Sequence, residues 1–190
     1  MDQSAAVRRF VHCLVALAPL YYLLPAEVPG IPIRRWHLLI AFFAAILLFE
    51  AVRLRKGFTF LGLRPHERNS IASFAWAASG ITVALWLLPM EIATPVLVGM
   101  GFVDPLAGEL RRLDKALSVQ AFLPLLAYLL ICIAALLAMT EEGLGPVLIV
   151  SCMGAIVAVG VERLDLPIVD DDFMMVIVPG SLMTALWLVI

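Results

Sequence analysis

"VQAFLPLLAYLLICIAALLAM", residues 119–139, runs for 21 residues without a charged side chain. A helix rising 1.5 Å per residue needs about 20 such residues to cross the hydrocarbon core of a bilayer. A backbone with no water to bond must close its hydrogen bonds internally, and a helix does so. Outward from this stretch, further apolar runs of similar scale lie at 8–25, 36–54, 70–89, 91–107, 145–161 and 173–190. The fourth of the seven is short, and only "LPME" joins it to the third. The expected fold is an all-α, polytopic membrane bundle of about seven transmembrane helices, a single domain covering residues 1–190.

Composition agrees. Of the 190 residues, 63% are hydrophobic and 15% charged, against about 45–50% and 25% in soluble domains. Cys13, Cys132 and Cys152 all sit in apolar runs without metal-ligand spacing, so buried thiols are expected rather than disulfides or a zinc site. "MDQSAAVRR" followed by "FVHCLVALAPLYYLL" has the outline of a signal peptide. However, "PAEVPG" offers no small-x-small cleavage site, and Tyr21 and Tyr22 suit an interface, so the segment is expected to stay as the first span.

With seven crossings, Arg8, Arg9, Arg53, Arg55, Lys56, Arg64, Arg68, Arg111, Arg112, Lys115 and Arg163 share one side, and Arg34 and Arg35 hold the other. Eleven cations against two place the N-terminus in the cytoplasm. Most acids follow them. Spans three and six carry Ser73/Ala77, Ala75/Ser79, Ser151/Ala155 and Gly154/Ala158 at four-residue spacing, which lets helices approach closely in lipid. Those two spans are expected at the centre.

Three polar stretches break the apolar pattern on the basic side. "RLRKGFTFLGLRPHERNS", residues 53–70, sets Glu67 beside Arg64 and Arg68. A basic loop on anionic headgroups is the plain account; a carboxylate kept ionised by cations is the functional one. In "GMGFVDPLAGELRRLDK", residues 99–115, Asp104 precedes a helix-breaking Pro105, and Gly99 and Gly101 would let backbone come close to a ligand. Arg111 and Lys115 share a face if that segment is helical. The pattern fits equally an ordinary helix end or a site for metal-bound polyphosphate.

The third stretch is "VERLDLPIVDDDF", residues 161–173, where Glu162, Asp165, Asp170, Asp171 and Asp172 surround one cation, Arg163. Carboxylates about 4 Å apart repel by roughly 4 kcal/mol at an effective dielectric near 20. Such a run is either a wet acidic turn or a place for a cation, and a carboxylate cluster in a basic surround favours the cation. His12 reads as a satisfied interfacial residue, and Glu50 with Arg53 as a local ion pair.

Together these stretches resemble the family of CTP-dependent polyprenol, dolichol, phytol and diacylglycerol kinases. "RRFVH" resembles its Arg-Arg/Lys-x-x-His opening, and "FEAVRLRKGFTFLGLRPHERNSIASFAWAASG" its Glu/Arg loop and following span. "VDPLAGELRR" resembles its Asp-Pro-x-Ala-Gly element, and "VERLDLPIVDDDF" its Glu…Asp-Asp-Asn-Phe element. The resemblance implies a Mg²⁺-dependent transfer of phosphate from CTP to a membrane lipid alcohol at the cytoplasmic face. Its implied partners are the bilayer, that alcohol and the nucleotide, with no nucleic acid. It further implies cation and nucleotide binding by Asp104, Glu162, Asp170 and Asp171, with Arg111 and Arg112 facing phosphates and Arg64 and Glu67 near the site; the acidic run adds Asp172 to the candidate metal ligands, and the glycine pair and basic cluster add Gly101 and Lys115 to the candidate nucleotide contacts. Asp104 or Glu67 would accept the hydroxyl proton. The chain departs from the family in "RRLDKALSVQAF", which lacks the family's glycines and glutamate, and in Asp172 and Val176, which replace Asn and Pro. These departures keep a non-catalytic relative as the alternative, with a cytidylyltransferase or a transporter behind it.

Overall fold

The structure is a computed structural model that describes residues 3–27, 30, 32–164 and 169–190; Asp165 lies outside them. Seven α-helices follow one another: α1 (Gln3–Val15), α2 (Arg35–Lys56), α3 (Ser73–Leu87), α4 (Met90–Arg112), α5 (Leu117–Met139), α6 (Leu144–Glu162) and α7 (Asp171–Trp187). Each falls on one of the seven apolar runs. The described residues contain no β-strand, only an isolated bridge between Glu27 and Arg34. Five segments are long and apolar enough to cross a membrane: Ala6–Leu23, α2, α4, α5 and α6. α3 and α7, at 15 and 17 residues, reach only about 22 and 26 Å at 1.5 Å per residue.

The first run is not one continuous helix. α1 ends at Val15, and a 3-10 helix takes over from Ala18 to Leu23. Pro19 explains the change, because it has no N–H to donate and its ring crowds the carbonyl four residues back.

The fourth run differs in the other direction. α4 is 23 residues long and passes through both Pro95 and Pro105 to Arg112. Asp104 therefore sits within a helix and not at its end, and the expected Gly-rich turn does not exist. Packing outweighs the local breakers here. α4 touches α5, α1, α7 and α3, while α3, one of the two spans expected at the centre, touches α7, α2 and α4. A Cβ on Gly99 would fall 2.5 Å from the Tyr128 ring of α5, and one on Gly101 would fall 2.6 Å from the Ala16 nitrogen. Both glycines are seats for neighbouring elements. Ile92, Val96, Met100 and Val103 complete α4's buried face against Tyr128, Cys132 and Leu136.

The small-residue faces of α3 and α6 serve α7. Gly80 lies against Phe173 and Val176, and Gly154 against Met183. Ser151, Gly154, Ala155 and Ala158 are all buried. No disulfide forms: Cys132 is buried, and Cys13 and Cys152 are exposed as free thiols.

α4 closes with a Schellman turn. The Lys115 N–H reaches the Leu110 carbonyl at 3.2 Å, and the Asp114 N–H reaches that of Arg111 at 3.0 Å. Asp114 takes the left-handed conformation, with φ of 49°. Lys115 therefore lies beyond the helix, and the helical face it was expected to share with Arg111 is absent.

Candidate functional site

α1 around His12, the start of α7, the C-terminal halves of α4 and α6 and the α2–α3 connection meet at one end of the bundle. α7 begins there because Asp170 is its N-cap, accepting the Asp172 N–H at 3.1 Å. Asp171 and Asp172 fill the first turn, where the positive end of the helix dipole favours carboxylates. Part of the acidic run is thus accounted for by helix initiation. Asp172 is not. It is 1% exposed, its Oδ1 lies 2.9 Å from His12 Nε2, and its Oδ2 is buried without a partner. A buried carboxylate oxygen with nothing to accept from is costly, and a cation or donor brought by a ligand would remove the cost.

His12 organises this end. Its Nδ1 lies 3.0 Å from the Arg8 carbonyl; a carbonyl can only accept, so Nδ1 carries the proton of that bond. The bond fixes the ring and turns Nε2 toward Asp172 and toward Asp104, whose Oδ2 is 3.6 Å away. Nε2 donates to the Asp172 carboxylate, which can only accept, so while that bond stands the ring is a donor to the cluster and not a metal ligand. His12, Asp104 and Asp172 offer one close set of donor atoms, and Asp170, Asp171 and Asp172 another, with Asp172 common to both. The carboxylates and the unpartnered Oδ2 fit a divalent cation such as Mg²⁺, which takes one or two carboxylates and fills its shell with water and phosphate oxygens.

Glu67 and Arg64 come to the same place on the α2–α3 connection. Arg53 holds that connection down. Its guanidinium grips Glu50 at 2.6 and 2.7 Å and donates to the Glu67 carbonyl at 3.1 Å and the Ser70 carbonyl at 2.6 Å. Glu50 in turn accepts the Ala72 N–H at 2.8 Å. This pair, expected to be merely local, clamps a loop.

The Glu67 carboxylate is saturated. It takes the Arg64 N–H at 2.7 Å, the Ser73 N–H at 3.0 Å and the Ser73 hydroxyl. Burial alone would raise its pKa, but the Ser73 and Arg64 donors, with the Arg64 charge, carry it below the usual glutamate value. Burial opposes the charge on Arg64, yet Asp171, Asp170, Asp172 and Glu67 more than reverse that and raise its pKa. Asp170 is pushed up, first by burial and then by the Asp172 charge.

Glu162 and Arg111 border the cluster, close enough for their charges to act on Asp104, whereas Arg112, Gly101 and Lys115 do not join it. Arg111 reaches across from α4 to pair with Glu162 at the end of α6. Arg112 forks onto Glu109 of its own helix at 3.0 and 3.1 Å, and Glu109 also takes Arg9 at 2.6 Å. Gly101 is sealed beneath Ala16, and Lys115 is exposed beyond α4. The structure thus gathers Asp104, Asp170, Asp171, Asp172, Arg64 and Glu67, and adds His12. Ser73 and Arg53 also belong, as supports.

The polar cluster opens onto an apolar space. A cavity of about 580 Å³ lies between α1, α2 and α3, with Arg8, His12, Glu67 and Ser73 at its polar end and apolar side chains elsewhere. No known protein family, curated protein or solved structure matches the chain.

Proposed function

We propose that this protein is a membrane-embedded kinase of lipid alcohols. It transfers the terminal phosphate of a nucleoside triphosphate, CTP on the family resemblance, to the hydroxyl of a lipid at the cytoplasmic face. One observation carries the reading: His12, which lines an apolar cavity, also bonds Asp172, the member of an acidic cluster whose second carboxylate oxygen is buried without a partner. A water-soluble polyanion and a membrane-soluble hydroxyl could meet only at such a boundary.

Phosphoryl transfer needs positioning and charge neutralisation more than covalent help. Asp104, Asp172, Asp170 and Asp171 would hold Mg²⁺, which offsets the phosphate charge. Arg64, which faces the aspartate run, would meet phosphate oxygens. The lipid oxygen attacks the terminal phosphorus, the bond to the bridging oxygen breaks, and the nucleoside diphosphate leaves with that electron pair. The hydroxyl proton passes to a carboxylate. Asp104 suits this role better than Glu67, whose oxygens already accept three donors.

A second reading has its own observation. Arg111 and Arg112, the cations expected to face phosphate, are both paired with glutamates. A relative that binds lipid and nucleotide without turnover would tolerate that. Purified protein in mixed micelles with Mg²⁺, γ-labelled CTP or ATP and a panel of lipid alcohols separates the two. Label in one lipid, reduced at least a hundredfold by Asp104→Asn and by Asp171→Asn, is the expected result. Nucleotide binding without transfer would establish the non-catalytic relative, and pyrophosphate release would move the reading to cytidylyl transfer. Absence of both binding and transfer would overturn the proposal.

A further inference from the structure

We infer that Arg34 and Arg35 form a phosphate-binding site at the end of the bundle opposite the aspartates, filled by an anionic lipid headgroup. Both arginines line a pocket there, together with Tyr21, Trp36, Leu85 and Trp86. α2 separates the two ends. Arg35 opens that helix and Arg53 lies in its last turn, about 27 Å away at 1.5 Å per residue.

Arg35 is held in place through one of its nitrogens. Nη1 donates to the Tyr22 carbonyl at 3.2 Å and to the Leu24 carbonyl at 3.4 Å. The Tyr21 and Tyr22 ring centroids lie 5.4 and 5.8 Å from the guanidinium carbon, within cation–π reach. Nε and Nη2 have no partner among the described residues. A guanidinium presents its donors as a planar fork that matches two phosphate oxygens. Here the fork is positioned before a ligand arrives, so little ordering is left to weaken binding.

Arg34 has one charged partner among the described residues, Glu27 at 3.5 Å, with side chains 65% and 73% exposed. So exposed an ion pair contributes little and yields easily to a phosphate. The start of α2 is not itself the donor. The Arg35 N–H is spent on the Ala26 carbonyl at 3.0 Å, and the His37 N–H on the Arg34 carbonyl at 2.9 Å. The site is one of side chains.

Its surroundings favour a lipid over a free phosphate as the source. Trp36 and Trp86 are exposed, and so are the apolar Leu24, Leu38 and Leu87 beside them along the chain. Indoles settle at headgroup level, where one side is apolar and the other wet. On the seven-span reading, Arg34 and Arg35 are also the only lysines or arginines on their side, where cations are disfavoured, yet both fall at one pocket. Two arginines against Glu27 leave a net positive charge. A net anionic headgroup answers it, whereas phosphocholine brings a cation of its own. This site depends on no part of the kinase reading.

Native mass spectrometry of the protein in detergent would be run with phosphatidylglycerol, phosphatidylcholine and inorganic phosphate. Phosphatidylglycerol should bind at least tenfold more tightly than phosphatidylcholine, and equimolar inorganic phosphate should not displace it. Arg34→Gln with Arg35→Gln should abolish that preference. Arg55→Gln with Lys56→Gln, at the other end of α2, should keep it. Phosphatidylglycerol with a photoreactive diazirine in its headgroup should label residues 21–26 or Trp86 in the unaltered protein, which does not depend on a variant folding. Labelling confined to residues 53–70, or a preference that survives loss of both arginines, would overturn the inference. Displacement by equimolar inorganic phosphate would overturn the lipid as its source.

Discussion

At the scale of single residues, His12 and Asp172 decide how this end of the protein behaves. Removing one partner of a buried, hydrogen-bonded pair strands the other and typically costs about 3–5 kcal/mol. His12→Ala should therefore lower unfolding stability in detergent by about 3 kcal/mol. Asp172→Asn, which keeps an oxygen to accept from the imidazole, should cost less. Chemical denaturation of both variants checks the order, and equal losses would mean that the pair is not coupled. Asp170 behaves oppositely. Its folded pKa is raised, so its charge opposes folding above that value, and the opposition disappears as pH falls through it. Asparagine caps helices as well as aspartate does, so Asp170→Asn should stabilise the metal-free protein at neutral pH while weakening Mg²⁺ binding. Melting curves with and without Mg²⁺ would show both effects. The acidic run stood out in the sequence for its charge, as a wet turn or a cation site, while the part Asp170 plays as the cap of α7 emerges only from the structure. The central place of His12 was not legible, because its partner lies 160 positions away. Only the order of motifs in "RRFVH" hinted that the histidine mattered.

At the scale of elements, the α2–α3 connection is a loop with a latch. Arg53 holds two of its carbonyls and Glu67 holds two of its N–H groups and a hydroxyl. Arg53→Met should speed amide hydrogen exchange across residues 64–73 at least tenfold, and Arg53→Lys should not restore it, since an ammonium lacks the two-pronged geometry. Unchanged exchange would rule out the latch. The pH dependence has a definite sign. Glu67's folded pKa is depressed, so its contribution is complete above the ordinary glutamate range and is lost as pH falls through the folded value. Exchange in residues 64–73 should accelerate on that acidic descent, and Glu67→Gln should flatten the dependence. α4 carries the counterpart lesson on legibility. Pro105 and two glycines read as a helix end, yet the helix runs on, because Gly99 and Gly101 are shaped by Tyr128 and Ala16. Local signals named the small residues; only the assembled bundle says what they are small for.

For the whole molecule, seven crossings would put the two termini on opposite faces, and the segregation of eleven cations from two proposes which face is cytoplasmic. Single cysteines introduced into a background without Cys13, Cys132 and Cys152 would test it. A membrane-impermeant thiol reagent applied to intact cells should label Glu141→Cys on the α5–α6 connection. Arg68→Cys should react only after permeabilisation, and the reverse pattern would invert the topology. Helix number and rough bounds were legible because an apolar run of bilayer length has few other uses. The arrangement of those helices was not, since lipid-facing and protein-facing sides are both apolar and periodicity no longer separates them.

The shortness of α3 has a consequence for the surrounding lipid. A helix reaching about 22 Å beside a hydrocarbon layer of about 30 Å leaves the layer too thick along that edge, and thinning of the bilayer is one response. The thinned region would border the cavity that α3 lines together with α1 and α2. Headgroups there would sit deeper than in the bulk membrane, level with His12. On the proposed kinase reading, a lipid would then be met partway, by lowering the surface of the membrane toward the aspartates rather than lifting a tail out of it.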